Sequence, residues 1–282
     1  MSDTGPESSV PPASSGGRGA GLRPAGAAAG HGRERPLVGR APAVLAPSAA
    51  AFVALAAALG VYYGTHQHWF SLSLWWAIGW LCFLLIPAVF GLVYLVLPLW
   101  REPALWLLIA AIGFGALAVV LQWAGAGPVA NFAKLAAMTA IGWCFLRFFE
   151  ELTWVVLVAL IVPWVDSYSV WRGPTKTIVT QKPEVFSALS FTFPVPGQDG
   201  GAKLGLPDLL FFALYLGASA RFGLRPFWTW VCLTASLGGT MALATAFNVD
   251  GLPALPLLSV GFLVPNADLI WREVRPKLSR SG

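Results

Sequence analysis

The chain has 282 residues, of which 57% are apolar and 11% charged, with 14 Trp and a formal net charge of +5. A soluble domain carries roughly 25% charged residues, so this composition excludes an ordinary soluble globule. The positive residues gather in tails and short connections, which speaks against a nucleic-acid surface and for a membrane topology signal.

Residues 1 to about 41 are rich in Gly, Ala, Ser, Pro and Arg. Such a segment buries too little apolar surface to offset its ordering entropy and reads as a disordered tail. It lacks the apolar core and cleavage pattern of a signal peptide. Apolar stretches then recur at about 43–63, 74–98, 104–124, 129–149, 152–171, 204–222, 227–247 and 252–270, each near the roughly 20 residues that cross a bilayer. The expected fold is an all-α polytopic membrane bundle of about eight spans, nine if two have merged. Four spans fall in 42–150 and four in 151–271, and a basic tail covers 272–282.

Pro87 and Pro163 lie inside the second and fifth stretches and predict kinks. The long connection from about 172 to 203 has two short segments of strand character, 177–180 and 186–195. Lys134 is near enough to a helix end to reach the interface with its ammonium. Arg147, Glu150 and Glu151 read as interfacial charges paired at helical spacing, and Asp268 sits four residues from Arg272 at a boundary. Gly113, Gly115, Gly238 and Gly239 read as sites of close helix approach. With His31, His66 and His68 outside the spans, and Cys82, Cys144 and Cys232 scattered, the sequence offers no metal centre and no redox cofactor.

Topology follows from the charges. With an even number of spans both tails share a side, and that side collects thirteen Lys and Arg against five on the other, namely Lys134, Arg172, Lys176, Lys182 and Lys203. The positive-inside rule therefore puts both termini in the cytoplasm and the 172–203 connection outside.

Two acids remain that a bilayer tolerates poorly. Asp166 lies six residues before Arg172, and Asp208 five residues after Lys203, on consecutive antiparallel spans. At 1.5 Å per residue their depths are roughly 9 and 7.5 Å from the same interface, so the two carboxylates are in a position to face each other. An intramembrane Asp is rare and marks a functional site by default. Two facing carboxylates share a proton, so one serves as general base on a water while the other acts as general acid on a carbonyl. The plainer alternative is that each caps a helix end, with Asp208 as a first-turn acid complementing the helix dipole.

Local sequence around these acids is distinctive. Gly205-Leu206-Pro207-Asp208, preceded by Lys203-Leu204, resembles the GxGD signature of presenilins and signal peptide peptidases, and Pro253-Ala254-Leu255 resembles their PAL motif. Asp166, before a long loop, matches the first catalytic aspartate, and the order aspartate, loop, aspartate, one helix, PAL is the family's order. The resemblance covers about 150–270. It implies a presenilin-like bundle of prokaryotic type, in which Asp166 and Asp208 are catalytic while Gly205, Leu206, Pro207, Pro253, Ala254 and Leu255 shape the active site. The implied activity is hydrolysis of peptide bonds within transmembrane segments or signal-peptide remnants. It further implies residence in the plasma membrane of a prokaryote and needs no cofactor, metal or nucleic acid. Two positions depart from the pattern: Pro207 replaces the second glycine, and Val165 stands where a tyrosine precedes the first aspartate. The charge asymmetry matches the orientation of the signal peptide peptidases. A proton-coupled transporter using the acids as a relay, or a catalytically silent presenilin-like scaffold, is the alternative reading.

Overall fold

A computed structural model describes residues 42–172, 188–198, 200–247 and 252–278. The tail at 1–41, the segment of strand character at 177–180 and the last residues of the basic tail lie outside these. The helices are α1 (Pro42–Thr65), α2 (Leu74–Leu95), α3 (Ala104–Trp123), α4 (Gly127–Leu146) and α5 (Leu152–Arg172). A hairpin follows, β1 (Ser190–Pro194) with β2 (Gly201–Gly205). The chain then forms α6 (Leu206–Arg221), α7 (Pro226–Ala246), α8 (Leu255–Leu263) and, after a 3-10 turn at Val264–Asn266, α9 (Ala267–Leu278). Six helices, α1 to α5 and α7, are long and apolar enough to cross a membrane. The segments expected as sixth and eighth spans form shorter helices, α6 of 16 residues and α8 of 9.

Proline shapes two of these helices. Pro87 has no N–H to give, and the turn before it widens to a π-turn over Leu81–Leu85, closed by the Ile86 N–H on the Leu81 carbonyl. The helix is thus irregular next to Pro87, where a break in regularity was expected. Pro163 lies within α5, three residues before Asp166.

α6 is the axis of the bundle. Every residue from 212 to 219 is buried, and a helix buried all round must have neighbours on all sides. Phe90 of α2 packs on Phe212 at 4.1 Å between ring centroids. On the α8 side the Tyr215 ring stacks on Phe262 at 4.9 Å, and its hydroxyl bonds to Ser259 Oγ at 3.2 Å. α4, from the first half of the chain, crosses α6 closely, and Trp143 Nε1 donates to the Ala213 carbonyl at 3.1 Å. In a bilayer the apolar effect does not drive helices together, so small residues that admit close backbone approach carry the association. Gly142 and Gly217 do this here. A Cβ at Gly142 would lie 2.6 Å from the Leu210 carbonyl oxygen, and one at Gly217 would lie 2.8 Å from the Trp143 ring. Gly238 is likewise tight against Cys82, as expected, but nothing lies within 4 Å of a Cβ at Gly113, Gly115 or Gly239. Those three do not serve helix packing.

The hairpin corrects the expectation of a helix from 204. Residues 201–205 are extended and pair antiparallel with 190–194, Ser190 opposite Gly205 and Thr192 opposite Lys203. Backbone groups there are satisfied by the partner strand, so the helix begins only at Leu206. Phe191 and Phe193 are fully buried beneath it. The ends of α1 and α4 tie the hairpin down: Tyr62 Oη donates to the Pro194 carbonyl at 2.7 Å, Tyr63 Oη to the Thr192 carbonyl at 3.1 Å and Lys134 Nζ to the Ser190 carbonyl at 3.1 Å. Lys134 is therefore not an interfacial side chain. It is buried under the hairpin, because α4 starts at Gly127, which sets Lys134 a further two residues into the helix.

The opposite end of the bundle gathers the arginines. Arg147 donates to the carbonyls of Trp100 and Glu102, and Arg221 donates to the Leu146 carbonyl. The Arg147 guanidinium thus serves carbonyls that chain ends leave unmatched, contacts that helical spacing does not indicate. Asp268 pairs in bidentate fashion with Arg225 at 2.8 Å and not with Arg272. The expected basic tail is also partly structured, since α9 runs to Leu278. At its start Asn266, fully buried, accepts from the Arg225 N–H at 3.0 Å and donates to Thr229 Oγ1 and the Phe262 carbonyl, both at 2.8 Å. Asn266→Ala leaves those buried groups unmatched and is expected to lower stability by about 1–3 kcal/mol. Thermal unfolding of the detergent-solubilised chain checks this, and an unchanged midpoint would remove Asn266 from the joint.

Candidate active site

Three elements converge where the sequence predicted a site. α5 carries Asp166, the first turn of α6 carries Asp208, and the chain entering α8 carries Pro253, Ala254 and Leu255. Both carboxyl-bearing residues are half-buried, whereas Pro253, Ala254 and Leu255 are buried. The Leu255 backbone N–H donates to Asp166 Oδ2 at 3.1 Å, which ties the first acid to the segment resembling PAL across 89 residues of sequence. Asp208 stands in the first turn of α6, and α5, which carries Asp166, touches α6.

Backbone geometry explains why each acid is held. Gly205 is the extended residue before α6, and Asp208 stands at the third helical position, where an acid complements the positive end of the helix. Leu255 is the first residue of α8, so Asp166 takes one of the donors that a helix start leaves unmatched. The positive ends of two helix dipoles, α6 and α8, therefore meet at one pair of acids. Gly205 also gives Asp208 room, since a Cβ there would lie 3.3 Å from Asp208 Oδ2. Pro207 is exposed and sits in the first turn of α6, where a missing N–H breaks no helical bond. It leaves the Asp208 backbone in ordinary helical form.

One boundary is corrected. The stretch read as a span from 252 is helical only from Leu255, and Pro253 and Ala254 precede α8 as non-helical chain. Pro256 takes the early helical position instead. Leu206 stands apart from the acids: its N–H donates to the Leu189 carbonyl, which fixes the hairpin to α6.

Sequence reasoning missed the residues that hold β1, and through it β2, namely Lys134, Tyr62, Tyr63 and Asn131. Asn131 exchanges hydrogen bonds with the backbone of Thr192 in both directions, at 3.4 Å each. The usable signal was Lys134, a cation well inside an apolar stretch, which by the logic applied to the aspartates also marks a site. Comparison of the sequence with protein-family models and with curated proteins gives no match.

Proposed function

We propose that this chain is an intramembrane aspartyl protease of the presenilin and signal peptide peptidase kind, with Asp166 and Asp208 as its catalytic pair. The observation that carries the reading is the hydrogen bond from the Leu255 N–H to Asp166 Oδ2, because it joins two motifs that resemble the family and are remote in sequence. In the proposed reaction one carboxylate takes a proton from a water held between the pair. The resulting hydroxyl attacks the scissile carbonyl carbon while the other, protonated carboxyl gives its proton to the carbonyl oxygen. The tetrahedral diol then collapses, the C–N bond breaks, and the leaving nitrogen takes up a proton.

A substrate helix must unwind first, since its carbonyls are shielded by its own hydrogen bonds. Among the described residues β2 pairs only with β1, so its second edge is open to an extended peptide, three residues from Asp208. The proposed substrates are single transmembrane segments or signal-peptide remnants, met with both termini of the enzyme in the cytoplasm as the Lys and Arg balance indicates.

A hydroxyl-bearing transition-state isostere that carries a photoreactive group tests the pair directly. It is expected to label the full-length chain in membranes and to be displaced by its unlabelled form. Labelling that persists undiminished in Asp166→Asn would overturn the assignment.

A further inference from the structure

A cavity lies where α3 and α4 meet the start of α6. It occupies about 300 Å³, the low end of the range that holds small ligands. α3 contributes Gly115, Ala118 and Gln122, α4 contributes Lys134 and Met138, and the start of α6 contributes Leu206. Its wall is almost wholly apolar apart from the Lys134 ammonium and the Gln122 amide at its edge. The cavity opens onto an apolar exposed surface of α3: Val119 and Trp123 line it and are themselves exposed, and Leu105 and Ile112 of the same helix are exposed as well.

Two features say what fills it. The space beside Gly115 is open, with nothing within 4 Å of a Cβ built there, so no neighbouring helix occupies it. The buried charge is positive: Lys134 lines the cavity and Lys203 of β2 lies within reach of its field. No lining residue is acidic. An apolar slot beside lipid-facing helix, with cationic character at one end, is complementary to an acyl chain that carries an anionic head.

We infer that this cavity binds an anionic phospholipid of the surrounding bilayer, its acyl chain along Gly115 and Ala118 and its phosphate end toward Lys134. The site rests on the membrane reading of the chain and is independent of the protease reading. Leu206, which lines the cavity, stands two residues before Asp208, and Lys134 holds Ser190 of β1, which pairs with Gly205 of β2. A bound lipid therefore buttresses the hairpin and the first turn of α6.

The test uses the full chain in nanodiscs and two lipids with the same diazirine-bearing acyl chain, phosphatidylglycerol and phosphatidylcholine. Crosslinks from phosphatidylglycerol are expected to concentrate on peptides spanning 115–123 and 134–138, in roughly fivefold excess over phosphatidylcholine, the ratio that one lysine near an anionic headgroup gives. Lys134→Gln is expected to remove that preference. Gly115→Phe, which enters open space and spares the fold, is expected to abolish labelling of these peptides while leaving labels elsewhere unchanged. Equal labelling by both lipids would mean ordinary annular contact and would overturn the proposal, as would labelling that survives Gly115→Phe. Proteolytic activity enters none of these readouts, so failure of the lipid site and failure of the protease reading are told apart.

Discussion

Asp166→Asn and Asp208→Asn are each expected to lower cleavage of a reconstituted single-span substrate by about 10²–10⁴-fold, the range that a positioned acid or base supplies. The choice of asparagine matters because both acids have a structural task as well. Asp166 caps the start of α8 through the Leu255 N–H, and Asp208 is the acid in the first turn of α6. A silent scaffold would need only these caps. Asparagine keeps a carbonyl oxygen able to accept the same backbone hydrogen bond, and caps of either residue are nearly equivalent. The unfolding midpoint of both variants is therefore expected to stay close to that of the parent, while turnover falls. If both variants cleave normally, the acids are caps and nothing more. If the parent cleaves no single-span substrate and the variants unfold early, the scaffold reading takes precedence.

Much of the architecture was legible because a bilayer leaves few options. An apolar run of the right length in such a chain becomes a helix, since no water is present to satisfy its backbone otherwise, and the helices from α1 to α5 and α7 fall where the runs were read. Legibility failed where tertiary pairing competes with helix. Leu204 and Gly205 run on into an apolar helix, yet they belong to strand β2, because β1 brings partners that only the folded chain supplies. The same failure hid Lys134. Its depth depends on where α4 starts, and its partner is a carbonyl 56 residues away. Charge partners of Arg147 and Asp268 were misjudged for a related reason. Sequence offers neighbours at helical spacing, whereas a bundle end offers unmatched carbonyls and an arginine from another helix. The candidate site was the easier part, because an acid in an apolar run is conspicuous whatever its partner. Asp208 as a first-turn acid was legible too; what the sequence did not reveal is that Asp166 would be met by the start of α8.

Gly142→Ala is expected to lower stability by about 1–3 kcal/mol, the cost of forcing one extra carbon into a packed contact. The reason lies in what stands opposite. The added Cβ would meet the Leu210 carbonyl oxygen at 2.6 Å and the Leu214 backbone nitrogen at 3.2 Å, neither of which can rotate away as a side chain would. α4 and α6 must therefore part along their whole crossing, which also strains the Trp143 Nε1 bond to the Ala213 carbonyl. Alanine ordinarily favours helix over glycine by about 1 kcal/mol, so the sign is a contest that the backbone clash decides. Gly113→Ala on α3 supplies the contrast: its Cβ meets nothing within 4 Å, and only the propensity gain remains. The expected result is a lower unfolding midpoint for Gly142→Ala and an unchanged or higher one for Gly113→Ala in the same detergent. Because Leu210 lies two residues beyond Asp208, parting α4 from α6 also displaces the second acid. Cleavage by Gly142→Ala should thus fall below the loss expected from unfolding alone, measured at a temperature where both proteins remain folded. Equal stability of the two alanine variants would show that α6 is not held by its crossing with α4, and that the position of Asp208 is set by the hairpin alone.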